Sequence, residues 1–542
     1  MTAPLLDIRG LSVRLPAGAQ RSHAFSGLDL QLSAGELLCV VGESGSGKST
    51  LGAAILRLLA PELKVDAGSL VFAGQDLLSL DERALTAIRG RDISLVSQEP
   101  LLALNPVQRV GAQIEESLLL HTALKRGERR SRVLQLLAYV GLPDPERLRL
   151  AYPFQLSGGQ RQRVAIAIAL ASEPRLLIAD EATSALDAAT RGQILTLLQR
   201  IQRDSGMAVL LITHDFAVVD RVADRVLVME AGRVVEQGSS AQVLQAPRSE
   251  YTRRLLDAAV LHPRLARAPS SEAPLLQVQR LSKQHWHRQG WRRHAIAALR
   301  DVALELRPGE SLGIVGESGS GKSTLARTLL GLNRPDSGSI RLGGTELVGL
   351  NDAGWRAVRP QIQMVFQDPG ASFNPRRRIG AALIAGPLAL GIPRAEAEQR
   401  ARTLLHRVGL PASAFDAYPH AFSGGQRQRI AIARALMLQP RVLVADECVS
   451  ALDALVQAQV LDLLESLQRE LGLALIFITH DLGVAARISD RLLVMQQGQI
   501  VEQGRTTQLL QAPSHPYTRT LLHAFAGESQ SSPTRTAVEE AR

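Results

Sequence analysis

No stretch of this 542-residue chain holds the 18 or so consecutive apolar residues that a membrane-spanning helix requires. Met1–Gly10 lacks the basic segment followed by an apolar one that marks a secretory signal. The expectation is a chain with no membrane span of its own that stays in the cytosol, where it remains free to dock on a membrane protein. Cysteine is nearly absent: Cys39 and Cys448 are the only two. Each sits in or beside an apolar, strand-like run, so buried free thiols are expected rather than a disulfide or a cysteine-ligated metal. Lysine is scarce as well. Of 62 basic residues only five are lysine, at positions 48, 64, 125, 283 and 322. The arginines are scattered, with small clusters at Arg129–Arg132, Arg288–Arg293 and Arg376–Arg378. The net charge of +10 is therefore read as a solvated basic surface, with no nucleic-acid partner.

Two of the five lysines occupy the same place in a repeated nonapeptide. Gly42-Glu43-Ser44-Gly45-Ser46-Gly47-Lys48-Ser49-Thr50 returns letter for letter as Gly316-Glu317-Ser318-Gly319-Ser320-Gly321-Lys322-Ser323-Thr324. The first copy lies between Glu36–Val41, which reads as a buried strand, and Leu51–Leu59, which reads as a helix. That context suits a phosphate-binding loop. Glycines let backbone N–H groups turn inward without a Cβ in the way, and the helix start adds partial positive charge. A compact ammonium at Lys48 and Lys322 can reach terminal phosphates where the broad arginine fork fits poorly. The hydroxyls of Ser49 and Ser323 can hold Mg²⁺.

The order of motifs after each loop is also duplicated. A strand-like run ends at Gln98 or Gln367 before a Pro-containing loop. Leu156-Ser157-Gly158-Gly159-Gln160 pairs with Phe422-Ser423-Gly424-Gly425-Gln426, each opening a helix-like run. Apolar runs end in Asp180-Glu181 and Asp446-Glu447; Asp187 and Asp453 follow, then His214 and His480, each after Ile-Thr. The offset between the halves is 274 at the lysines and 266 from the Ser-Gly-Gly-Gln runs onward. The first half thus carries eight extra residues, all between Lys48 and Ser157. This is a tandem duplication of one large domain.

Acids at the carboxyl edge of a buried strand stand where α/β proteins place ligands. Asp180 and Asp446 suit Mg²⁺ coordination, and Glu181 and Glu447 suit general-base work on a water. His214 and His480 suit a γ-phosphate contact or a water-orienting role. The amides of Gln98 and Gln367 can contact Mg²⁺ or the attacking water while their loops move. The Ser-Gly-Gly-Gln helix starts are a second set of anion sites, one more per half than a single nucleotide needs.

Together these residues resemble the ATP-binding subunit of ABC transporters, over nearly the whole chain. Gln367-Asp368-Pro369 with Phe373-Asn374-Pro375, Gln98-Glu99-Pro100 with Leu104-Asn105-Pro106, and His515-Pro516-Tyr517-Thr518, echoed by Ser249-Glu250-Tyr251-Thr252, are similar to peptide and nickel importers. The resemblance implies an α/β fold of two tandem P-loop NTPase domains. Each would have a mostly parallel core sheet, an antiparallel β subdomain and a helical subdomain carrying the signature. It implies ATP hydrolysis at two composite, head-to-tail sites. Gly42–Ser49 would face Ser423–Gln426, and Gly316–Ser323 would face Ser157–Gln160, with Asp187 and Asp453 across the interface. It further implies two membrane permease subunits docking near the Gln loops, an extracytoplasmic solute-binding protein, and a peripheral place on the cytoplasmic face of the inner membrane. Some relatives carry a cysteine cluster near the C-terminal end; this chain has none there, so no iron–sulfur cluster is expected. Leu15 or Phe25 in the first half, and Trp286 or Trp291 in the second, stand near the place where the family stacks adenine.

Domain bounds are expected at 1–262 and 275–526, with an exposed Pro-rich linker at 263–274 and a disordered tail at 527–542. The rival reading is a tandem ABC protein acting on ribosomes, which the short linker disfavours.

Overall fold

Side-chain alternation in the short apolar strands decides the layering. Leu37, Cys39 and Val41 join one buried cluster, while Leu38 and Val40 join another. A strand covered on both faces needs layers on both sides, and each half supplies them. The computed structural model describes the chain except for residues 1–2, 17, 20, 98–102, 184–187, 260–262, 265–271, 290–291, 318, 368–371, 451 and 530–542. The side chains of 188–189, 287–289, 292–294 and 524–529 are also outside the description. The chain divides into two compact units, one mainly Met1–Ala259, the other mainly Val260–Leu452 and Val456–Phe525.

In the first unit a six-stranded sheet runs in the order Arg233–Ser239, Arg225–Glu230, Leu37–Val41, Ala208–Thr213, Leu176–Asp180, Ile93–Val96. All neighbours are parallel except the first pair. One face is covered by a four-stranded antiparallel sheet led by Leu6–Arg14 and His23–Leu32, with the helix Lys48–Ile55 between. The other face takes the helices Val110–His121, Arg126–Tyr139 and Gly158–Ala169. Each fully buried Leu or Val in these layers stabilises by roughly 1.5–3 kcal/mol. The second unit repeats the plan around Ser311–Val315, Ala474–Ile478 and Val442–Asp446. This is the α/β architecture expected from the resemblance. Cys39 and Cys448 are free and buried, and burial pushes the Cys448 thiol up to about 12.

The eight extra residues of the first half are not one insertion. The offset falls from 274 at Lys48/Lys322 to 270 at Phe72/Leu342, 269 at Val96/Val365, 268 at Tyr139/Arg407 and 266 at Ser157/Ser423. Small additions in four connections leave every core element in place. In the second unit the antiparallel hairpin grows instead, to strands of 14 and 15 residues, Leu276–Gln289 and Arg292–Leu306.

Two sequence expectations change. Of the linker, only 263–264 and 272–274 are described, and there Arg264 is buried, not exposed. Its guanidinium donates to the Ile488 carbonyl at 2.6 Å and to Gln468 at 3.0 Å, and Asp490 lies 3.5 Å away. The last helix, Pro516–Ser529, runs three residues into the stretch expected as tail, whose remainder lies outside the described residues. Among the described residues no helix is long and apolar enough to cross a membrane.

The start of that last helix is fixed by a carboxylate. Glu502, on the strand Gln499–Arg505, accepts from Ser514 N at 2.7 Å, Ser514 Oγ at 2.8 Å and His515 N at 3.0 Å. Glu236 does the same for Arg248 N and Ser249 N at 2.8 and 3.0 Å. Burial works against the Glu502 charge, but the hydroxyl and N–H donors outweigh it and hold the carboxyl at about 2. A depressed carboxylate stabilises above its unfolded value of 4.5, and that contribution is lost as pH falls toward about 2. Glu502→Gln is expected to lower the thermal midpoint at pH 7. In a thermal scan series the deficit should narrow steadily below pH 4.5.

Candidate nucleotide sites

Each glycine loop leaves the central strand of its sheet and enters a helix at the lysine. Gly42 has φ 153°, and a Cβ there would sit 2.1 Å from the Met229 carbonyl oxygen. At Gly316 φ is 154°, and the corresponding distance to Met495 O is 2.2 Å. The loop therefore needs glycine at its first position for space as well as for backbone freedom. Ser46, Lys48, Ser320 and Lys322 are buried. Lys48 Nζ donates to the carbonyls of Gly42 and Glu43 at 2.7 and 2.8 Å; Lys322 Nζ donates to Gly316 and Glu317 at 2.7 and 2.9 Å. Burial lowers the Lys48 pKa, and the charge of Glu181 works the other way.

The acids arrive from the next strand but one, across Ala208–Thr213 in the first unit and Ala474–Ile478 in the second. Ser49 Oγ donates to Asp180 Oδ1 at 3.1 Å, and Ser323 Oγ to Asp446 Oδ1 at 3.3 Å. Burial pushes both aspartates up, with the adjacent Glu447 adding to the effect at Asp446. Glu181 and Glu447 sit one residue past the strand with φ 46° each. Left-handed backbone in a non-glycine costs on the order of 1–2 kcal/mol, and here it turns the side chain out at the sheet edge. Their N–H groups still bond across to Ile212 O at 2.9 Å and Ile478 O at 2.8 Å, which holds the turn. His214 Nδ1 lies 3.4 Å from Glu181 Oε1, and His480 Nδ1 lies 3.7 Å from Glu447 Oε1. Burial raises Glu181, but the His214 hydrogen bond and charge, with Lys48, bring it below the usual range. At Glu447 the His480 hydrogen bond is the largest influence and the result is the same. Both are carboxylates at neutral pH.

Gln367 Nε2 donates to Glu447 Oε2 at 2.8 Å, so amide, histidine and glutamate meet at one point. Gln98, Asp187 and Ser318 lie outside the described residues. Thr50 and Thr324 follow in the loop helices, and Ser44, Gly45 and Gly319 form the exposed crests of the loops. Asp453 immediately precedes the helix Ala454–Leu471.

Ser157 and Ser423 cap the helices Gly158–Ala169 and Gly424–Leu436. In each, the Gln160 or Gln426 N–H donates to the serine hydroxyl at 3.3 Å, and the serine N–H donates to the glutamine side chain at 3.0 Å. The glutamine thus completes a capping box. The second glycine has a use the sequence did not show. A Cβ on Gly159 would meet Thr190 Cγ2 at 2.4 Å, and one on Gly425 would meet Val456 Cγ1 at 2.2 Å.

The adenine candidates need correction. Phe25 is fully buried in the core and cannot stack on a base; Leu15 packs partly against the same core. Trp286 is 65% exposed on the long hairpin, and Trp291 is outside the described residues. Sequence reasoning also missed Tyr251 and Tyr517. Their phenol oxygens accept from Glu43 N at 3.1 Å and Glu317 N at 3.0 Å. The repeated pair Tyr251-Thr252 and Tyr517-Thr518 is the signal the sequence offers for them.

Strand, glycine loop, buried lysine and edge carboxylates define a P-loop nucleotide-hydrolysing site, one in each unit. Residues 25–184 and 299–450 match the ABC transporter family, and residues 501–540 match the C-terminal region of oligopeptide/dipeptide transporters. The chain is 42% identical to the glutathione import ATP-binding protein GsiA of Pectobacterium atrosepticum, covering 96% of this chain and 89% of that protein. It is 43% identical to the peptidoglycan transport ATP-binding protein YejF of Agrobacterium fabrum, covering 96% of each. It is 41% identical to GsiA of Escherichia coli strain K12, covering 96% of this chain and 89% of that one. The chain belongs to the ABC transporter family, as a two-cassette ATPase.

The placement of Glu181 and Glu447 gives a direct kinetic expectation. Glu181→Gln with Glu447→Gln should cut steady-state ATP turnover about 100-fold or more while nucleotide binding persists. Normal turnover in the double variant would remove both residues from the base role.

Proposed function

We propose that this protein is the energy-coupling ATPase of an importer for peptides or a related small solute such as glutathione. The observation that carries the reading is likeness along the whole chain to import ATPases, both cassettes and the C-terminal region included. ATP is the substrate. In each site a buried lysine stands ready for the terminal phosphates. The carboxylate of Glu181 or Glu447 takes a proton from the water whose oxygen attacks the γ-phosphorus, and ADP leaves with its bond to that phosphorus broken. His214 and His480, beside these carboxylates, orient the water or meet the γ-phosphate.

The residues fit a magnesium ion. A hydroxyl within 3.1 or 3.3 Å of a carboxyl that burial keeps above its usual range is an oxygen pair short of positive charge. Ser49, Asp180 and Gln98 would hold the ion in the first site; Ser323, Asp446 and Gln367 in the second. Bound there, it would neutralise charge on the phosphates.

The two sites are composite. Gly42–Ser49 works with Ser423–Gln426, and Gly316–Ser323 with Ser157–Gln160, while Asp187 and Asp453 line the shared interface. Two helix starts per unit, one opened by glycine at the loop and one capped by serine at the signature, support this arrangement. The domains proposed are 1–262 and 275–526. Two permease subunits dock near the Gln loops, including Glu99–Asn105 and Asp368–Asn374, and a solute-binding protein completes the transporter. A cavity of about 720 Å³ in the second unit, lined by Phe366, Gln367, Leu383, Pro387, Met437 and Asp446, supports the docking place. The protein would lie on the cytoplasmic face of the inner membrane. No observation favours the ribosome-linked alternative, since the relatives reported above are transport proteins.

Uptake is the deciding measurement. Cells lacking the gene should take up labelled di- and tripeptides or glutathione more slowly, with recovery on complementation; unchanged uptake of every one would overturn the import reading. Ser423→Arg tests the pairing. Photo-labelling with an azido-ATP should fall at the Lys48 loop more than at the Lys322 loop, and equal loss at both would count against head-to-tail sites.

A further inference from the structure

We infer that Tyr251 and Tyr517 are positioning residues for the catalytic lysines, each acting as a strut from the end of its cassette to the glycine loop. Both side chains are buried, at 4% and 8% exposure. Tyr251 lies in the helix Glu250–Ala259 and Tyr517 in Pro516–Ser529. Each phenol oxygen accepts the N–H of the loop's second residue, Glu43 at 3.1 Å and Glu317 at 3.0 Å.

The consequence lies in which peptide unit is held. The Glu43 N–H and the Gly42 C=O belong to the same planar peptide group. Its carbonyl accepts from Lys48 Nζ at 2.7 Å while its N–H donates to Tyr251. In the second unit the Gly316–Glu317 peptide is gripped in the same way by Lys322, at 2.7 Å, and by Tyr517. Gly42 and Gly316 have no Cβ to restrict rotation of that peptide, and φ stands at 153° and 154°. The tyrosine supplies the restraint the glycine lacks. A rotated peptide would turn its carbonyl away from the ammonium and leave the lysine under-coordinated in a buried place.

The strut is itself anchored. Glu236 fixes the turn before the first helix through the Arg248 and Ser249 N–H groups, and Glu502 fixes the second through Ser514 and His515. The chain from carboxylate to helix start to phenol to loop recurs in both units with unlike surrounding letters, Ser-Glu-Tyr-Thr and His-Pro-Tyr-Thr. The second copy falls inside the oligopeptide/dipeptide C-terminal match at 501–540, which gives that region a task at the nucleotide loop.

The inference rests on the reading of Lys48 and Lys322 as phosphate-binding groups, and the experiment separates the two. Tyr251→Phe and Tyr517→Phe keep the ring and remove only the hydroxyl. In the full-length double variant, KM for ATP and the Kd for Mg·ADP by calorimetry are expected to rise about three- to tenfold, the worth of one hydrogen bond. The fall in kcat should be by a smaller factor, and the ADP-induced rise in thermal midpoint should shrink. A variant with wild-type KM and Kd would overturn the strut. So would one that melts earlier without nucleotide yet keeps its KM and its ADP-induced shift, because the hydroxyl would then serve packing alone. A wild-type chain that binds no Mg·ADP would overturn the lysine reading, and the strut with it.

Discussion

A buried ammonium is tolerated only where oxygens surround it, and in both units those oxygens are main-chain carbonyls of the loop that the lysine itself follows. Much of the remaining architecture serves that arrangement. The central strand delivers the loop, the glycines let it close, and the next strands deliver carboxylates at the same sheet edge. The lysine is held by contacts within its own loop. Few other lysines exist in the chain, so the two that do this work stand out against a background of arginine.

The carboxylates divide their labour through environment. Asp180 and Asp446 sit at the strand end beside a hydroxyl, and burial raises them. Glu181 and Glu447 turn out one residue later and are held low by histidine. Adjacent acids driven in opposite directions point to different tasks. In the second unit Gln367, which lines a surface cavity, donates to the glutamate.

Much of this was legible because the chain states it twice. The loop, the edge acids and the histidines could be placed from order and offset alone, and the strands Leu37–Val41 and Ala208–Thr213 fall within a residue of where the apolar runs stand. Helix ends were less legible. The run Leu51–Leu59 suggested a helix of that extent, but the helix spans Lys48–Ile55. The polar Lys-Ser-Thr face belongs to it without adding to the apolar pattern, and Arg57 at φ 51° closes it early. The polar, helix-like stretch Val110–Val140 of the sequence is two helices, Val110–His121 and Arg126–Tyr139; the Glu128 carboxylate opens the second by accepting from the Lys125 N–H at 2.7 Å. Contacts between distant letters stayed hidden. Nothing in Tyr251 says that it reaches Glu43, 208 residues away in sequence.

The crowding at Gly159 and Gly425 bears on how defects in the signature run are interpreted. Any side chain there would wedge its helix off the one beginning near Asp187 or Asp453 before a nucleotide is involved. Inactivity after such a change therefore reports a dislocated scaffold, and by itself it carries no information about what the run grips.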